Sequence, residues 1–159
     1  MKKLLSNVFT LATFSLLSLS VHANNDFATG MISEVKLLNE FSVFNKNFQE
    51  FSISDKELRL IAQWPETLNI DVYFGTWCHD SEREVPKLLK LLKANRHITL
   101  TLITLDYEKE DPQALAQKNN IKYTPTFIIY RDESKKEELG RIIERPKRSL
   151  IEDINQLLL

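Results

Sequence analysis

The sequence is short of cysteine: Cys78 is the only one among 159 residues. An internal disulfide is therefore excluded, and three roles remain for the sulfur: a free thiol, half of an intermolecular pair, or an isolated metal ligand. An excess of charge of one sign is lacking as well. Lys and Arg number 21 against 22 Asp and Glu, a formal net charge of −1, and loss of Lys2 and Lys3 with a leader would make the chain more acidic. No basic surface argues for nucleic acid, and that partner class is set aside. Internal repeats and low-complexity stretches are also absent. At 43% hydrophobic the chain reads as one ordinary domain, long enough to bury a core.

Long hydrophobic runs are confined to Leu4–Val21, a stretch diluted by serines. Lys2-Lys3 precede it and Val21-His22-Ala23 follow, with small residues at the cleavage-determining positions, so residues 1–23 read as a secretory signal cut after Ala23. The serines and the small-residue ending weigh against a retained membrane anchor. No cysteine stands at the junction to take a lipid. The expectation is an exported protein with no stable membrane span after signal removal, in a bacterial periplasm.

What is present is an alternation of helical and strand patterns. Asn24–Gly30 is polar and reads as a loose mature N-terminus. Ile32, Val35, Leu38, Phe41, Phe44 and Phe48 recur every three or four residues, which predicts one amphipathic helix. Ser54 and Glu57 have capping-box spacing for a helix to about Gln63, and Trp64-Pro65 ends it. These elements make residues 24–68 an N-terminal helical segment, part of one domain with 69–159.

Within 69–159, Ile70–Phe74 reads as a buried strand and Asp80–Lys93 as a helix with Val85, Leu88, Leu89 and Leu92 on one face. Ile98–Leu105 is the next strand, and Asp111-Pro112 supplies an N-cap and first-turn proline for a short helix through Ala116. Thr126–Tyr130 and Leu139–Ile143 form a hairpin across the charged turn Asp132–Lys135, and Lys147–Leu158 is a final helix. The βαβ order requires parallel pairing of the first two strands. The fold class is therefore α/β, with a mixed four-stranded sheet and helices on both sides.

Cys78 falls at the junction of the first strand and its helix. Unsatisfied N–H groups and the positive end of the helix dipole favour the thiolate there, the nucleophilic form of the residue. A buried cysteine that merely packs is the bland alternative; its place between Trp77 and His79-Asp80 argues for partial exposure instead. Ser81 is expected one turn on, its hydroxyl donating to the sulfur. His79, if protonated, would support the anion and Asp80 would oppose it, unless both merely solvate the helix start. Cys78, His79 and His97 are too few and too unevenly spaced to hold a metal.

Trp77-Cys78-His79-Asp80-Ser81 resembles the active-site motif of the thioredoxin superfamily with the second cysteine replaced by serine. Pro86 resembles the proline that kinks the active-site helix of that family, Tyr123-Thr124-Pro125-Thr126 its cis-proline loop, and Gly140 also fits. The resemblance implies a three-layer α/β/α thioredoxin-like fold with an N-terminal helical extension. It implies a cis Pro125 lying against the sulfur and a Thr124 backbone that pairs with client peptide. Where thioredoxins bury a proton-moving aspartate, this chain has Val72, with Asp71 beside it and directed to the other face.

Without a resolving cysteine the dithiol cycle is closed. A one-cysteine cycle remains, in which Cys78 attacks a protein disulfide or a glutathione mixed disulfide and an outside thiol completes the exchange. No cofactor is implied. The rival reading is a redox-inactive peptide-binding or chaperone module in the same groove. A thiol peroxidase is disfavoured because the usual acid, arginine and threonine set is missing.

Overall fold

The computed structural model describes residues 27–159. The signal read at 1–23 lies outside the described residues. Among the described residues five strands, β1 (Gly30–Met31), β2 (Asn69–Phe74), β3 (Thr99–Thr104), β4 (Thr126–Tyr130) and β5 (Glu138–Ile143), form one mixed sheet in the order β1-β3-β2-β4-β5. β2 is central, parallel to β3 and antiparallel to β4, which pairs with β5. The sequence predicts four strands; the fifth is β1, antiparallel to β3. Residues 27–31 are thus anchored and not loose: Thr104 Oγ1 donates to the Gly30 carbonyl at 2.8 Å, and the Ala28 N–H donates to Thr76 Oγ1 at 3.0 Å.

Alternation along the strands divides the interior into two clusters, because successive side chains leave a strand on opposite faces. Ile70, Val72, Phe74, Phe127 and Ile129 face the larger cluster. Five helices contribute to it: α1 (Glu34–Glu40), α2 (Ser42–Glu50), α3 (Asp55–Ile61), α4 (His79–Leu92) and α6 (Leu150–Leu157). Tyr73, Ile103, Ile128 and Tyr130 face the smaller cluster, covered by α5 (Leu115–Lys118) and the loops beside it. Gly140 lets α6 approach β5 closely, since a Cβ there would lie 2.6 Å from Leu157 Cδ2.

The single helix read from Ile32 to Phe48 is two helices. Phe41 is extended between them (φ −115, ψ 93), its N–H returning to the Leu37 carbonyl, and its ring meets Phe44 edge-on at 6.3 Å. A one-residue break leaves the apolar spacing intact, so the periodicity does not register it. The helix read from Asp111 starts later, at Leu115. Asp111 does cap backbone, accepting from the N–H groups of Gln113, Leu115 and Ala116 at 2.7–3.1 Å, but across an irregular turn in which Ala114 is left-handed (φ 53). The last helix likewise begins at Leu150, with Ser149 as N-cap accepting from Glu152 N–H. The capping box at Ser54 and Glu57 forms in full.

Pro86 explains how the N-terminal helices are tied to α4. Proline has no N–H to donate to the carbonyl four residues earlier. That carbonyl, on Glu82, accepts instead from Asn47 Nδ2 of α2 at 2.7 Å. Burial of Phe44 and Leu37 between the same elements completes the attachment.

Candidate active site

Cys78 is the N-cap of α4, with extended backbone (φ −96, ψ 120) and a partly exposed side chain. Its amide donates to the Gly75 carbonyl and its own carbonyl accepts from Glu82 N–H at 2.9 Å, so the residue ends a tight turn and begins the helix. The sulfur makes one hydrogen bond, Sγ to the Thr124 carbonyl oxygen at 3.3 Å. The Thr124–Pro125 peptide bond is cis. The loop is fixed by Thr126 Oγ1 donating to the Tyr123 carbonyl at 2.7 Å and by Glu144 N–H donating to the Pro125 carbonyl at 2.7 Å. Cys78, Thr124 and Pro125 are thereby brought together by three elements: β2–α4, the start of β4, and the end of β5.

Ser81 does not take the place expected of it. It is fully buried, and its Oγ has no hydrogen-bond partner among the described residues. The Cys78 side chain lines the open cleft and bonds to the Thr124 carbonyl, whereas Ser81 is enclosed by the interior.

His79 and Asp80 turn away from the sulfur as well. The His79 side chain is 95% exposed and its Nδ1 lies 2.9 Å from Glu82 Oε2. Asp80 is matched by Arg83 Nη1 at 2.7 Å and Arg145 Nη2 at 3.1 Å. Burial tends to raise the Asp80 carboxyl, but hydrogen bonds from Arg145 and Arg83 outweigh it and hold the group below the ordinary carboxylate range.

Trp77 is held edge and face: Nε1 donates to the Leu105 carbonyl at 3.0 Å, and the ring stacks on Tyr107 at 4.7 Å, which in turn meets Phe27 edge-on at 5.1 Å. Gly75 makes room for that ring, since a Cβ there would come within 2.5 Å of the indole. Around the sulfur opens a cleft of ≈ 450 Å³ lined by Trp77, Cys78, His79, Asp80 and Thr124. Lys109, Lys122, Tyr123, Glu144 and Arg145 line it too, and sequence reasoning missed them. The dense charge of Glu144-Arg145-Pro146-Lys147-Arg148, directly after a strand, was the available signal.

Asp71 lies on the opposite face from Val72. It is buried, and its carboxylate accepts from Lys135 Nζ at 2.6 Å. Among the described residues no group of three or more His, Cys, Asp or Glu could hold a metal, and no helix is long and apolar enough to cross a membrane.

A cysteine capping the helix after a central parallel strand, facing a cis-proline loop, defines the thioredoxin-like class. A family model described as Thioredoxin matches residues 34–153, and the chain belongs to that family. Thioredoxin-1 of Caenorhabditis elegans is 26% identical over 121 residues, covering 76% of this chain and 94% of the relative. Among solved structures, a protein of unknown function from Pseudomonas aeruginosa superposes with a TM-score of 0.60 at 16% identity, over 80% of this chain and 98% of the other. An HIV epitope-scaffold gives 0.54 at 17% identity, over 74% of this chain and 73% of the other. At such identities the structural likeness concerns the fold. Membership of the family carries a thiol–disulfide redox role in general, with protein thiols as the substrate class.

Proposed function

We propose that the protein is an exported thiol–disulfide exchange protein of monothiol type, working in a bacterial periplasm. The observation that carries this reading is the setting of Cys78. The only thiol in the sequence is partly exposed at a helix N-terminus, within 3.3 Å of the Thr124 carbonyl. In the forward step the Cys78 thiolate attacks one sulfur of a client disulfide. The Cys78–client bond forms as the client S–S bond breaks, and the released thiolate takes a proton from solvent. Ser81 provides no second sulfur, so the mixed disulfide persists until an outside thiol, a protein thiol or glutathione, attacks it and frees Cys78.

Cys78 is the nucleophile, presented at the N-cap of α4. Thr124 forms the wall against which client backbone lies, Pro125 behind it shapes the loop that presents it, and Trp77, His79 and Asp80 shape the rim. Ser81 serves packing, its hydroxyl not reaching the sulfur. The test is acid trapping in the exporting host followed by identification of what is disulfide-linked to Cys78. Discrete protein adducts, on a mature chain beginning at Asn24, are expected. Client binding without any adduct, undiminished in Cys78→Ala, would favour a redox-inactive peptide-binding module instead.

A further inference from the structure

The charge around the Cys78 cleft is not balanced, and the imbalance continues along the molecule. Arg145 lines both the cleft and a second depression of ≈ 360 Å³ between β5 and α6, so the two adjoin. Together they are lined by six cations, Lys109, Lys122, Arg141, Arg145, Lys147 and Arg148, against three carboxylates, with Arg141 held by Glu138 just outside the lining at 2.6 Å. Of those three, Asp80 is paired with Arg83 and Arg145, and Asp153 with Arg148 at 3.6 Å; Glu144 has no ion pair among the described residues. Lys109, Lys122 and Lys147 have no carboxylate partner among them either. This local excess stands out in a chain of net charge −1. Ile143, 45% exposed, lines the second depression and offers an apolar contact beside the cations.

Resting on the monothiol reading of Cys78, we infer that the client is a protein segment with acidic residues flanking its reactive sulfur. The sulfur enters at Cys78, carboxylates on one flank meet Lys109 and Lys122, and those on the other run past Arg145 toward Lys147 and Arg148. Exposed ion pairs add little static affinity. An excess of one sign beside a reactive atom acts chiefly on encounter, raising the association rate in a salt-dependent way.

Three peptides of equal length test the inference, each carrying one cysteine as a mixed disulfide with 2-nitro-5-thiobenzoate and flanked by Asp/Glu, by Ser/Gly or by Lys/Arg. Attack by the Cys78 thiolate forms the Cys78–peptide bond and expels the coloured thiolate, so absorbance reports the second-order rate. At low salt the acidic peptide should react about tenfold faster than the neutral one, within the range of electrostatic steering, and the basic peptide more slowly still. The spread should shrink several-fold at about 0.3 M salt, where screening is short-ranged. In Lys122→Glu/Lys147→Glu the advantage of the acidic peptide should vanish. Equal rates for all three peptides at low salt, or fastest reaction of the basic one, would overturn the inference and leave the exchange reading standing. Faster reaction of the corresponding glutathione mixed disulfide than of the acidic peptide would overturn it in favour of a small anionic thiol. No release of colour from any probe beyond that seen with Cys78→Ser would remove the exchange reading itself.

Discussion

Val72 and Asp71 are neighbours on β2, yet they serve opposite faces of the sheet in different chemical settings. Val72 lies in the apolar cluster beneath α4 and the other four helices on that side, the side from which Cys78 emerges. Asp71 lies among Tyr73, Ile128 and Tyr130, bonded to Lys135, whose Nζ also reaches Thr101 Oγ1 at 3.4 Å. Burial first, then the charge of Asp71, pushes the Tyr73 and Tyr130 phenols above their ordinary values, and the Tyr73 hydroxyl accepts from Asn119 Nδ2 at 2.8 Å. With a strand period of two, moving a carboxylate by one residue moves it to the far side of the sheet. On the cysteine side β2 thus carries no carboxylate at position 72, and the buried Glu84 of α4 is taken up by Arg83 and Lys87.

The comparison can be broken most severely on the apolar side. Phe44→Ala should cost about 3–5 kcal/mol, because it removes a fully buried ring that packs at 5.8 Å from Phe74 and holds α2 to the sheet. Urea unfolding measures it. On the polar side, Lys135→Met should cost about 1–3 kcal/mol by leaving Asp71 buried without its cation, and Asp71→Leu/Lys135→Met should regain most of that. Neither change should alter the rate at which iodoacetamide modifies Cys78. A several-fold change would mean that the far face does reach the sulfur.

A smaller effect separates backbone satisfaction from packing. Asn47→Ala should cost about 1–2 kcal/mol, since the Glu82 carbonyl freed by Pro86 loses its donor. Asp80→Asn should have the smallest effect, below about 1 kcal/mol at neutral pH, as a partly exposed pair is worth little. Its sign with pH is fixed by the lowered folded-state value of Asp80. The stabilisation is complete above the unfolded carboxyl value of 3.8 and is lost as pH falls through the lower folded value. Wild type and Asp80→Asn should thus converge in strongly acidic solution.

The parts of this arrangement visible in the sequence are those with a period or a fixed spacing. Ile70–Phe74 into Cys78, the capping box at Ser54, and the hairpin from Thr126 to Ile143 all announce themselves in short runs. β1 is two residues long and has no period to read. The break at Phe41 preserves the apolar spacing on both sides. The burial of Ser81 depends on the packing around α4, which the spacing of Cys78 and Ser81 does not carry. The cation stripe combines Lys109, Lys122 and Arg145 from three separate loops, so only the fold brings them together.

The central claim is a mixed disulfide at Cys78 that the chain cannot resolve by itself. The most direct measurement mixes the protein with a peptide disulfide, removes excess peptide, and follows the adduct by mass spectrometry with and without added glutathione. The account predicts one peptide per chain, located at Cys78, stable over hours without thiol and released promptly when thiol is supplied. Spontaneous release at the same rate in both samples, or no adduct at all, would contradict it.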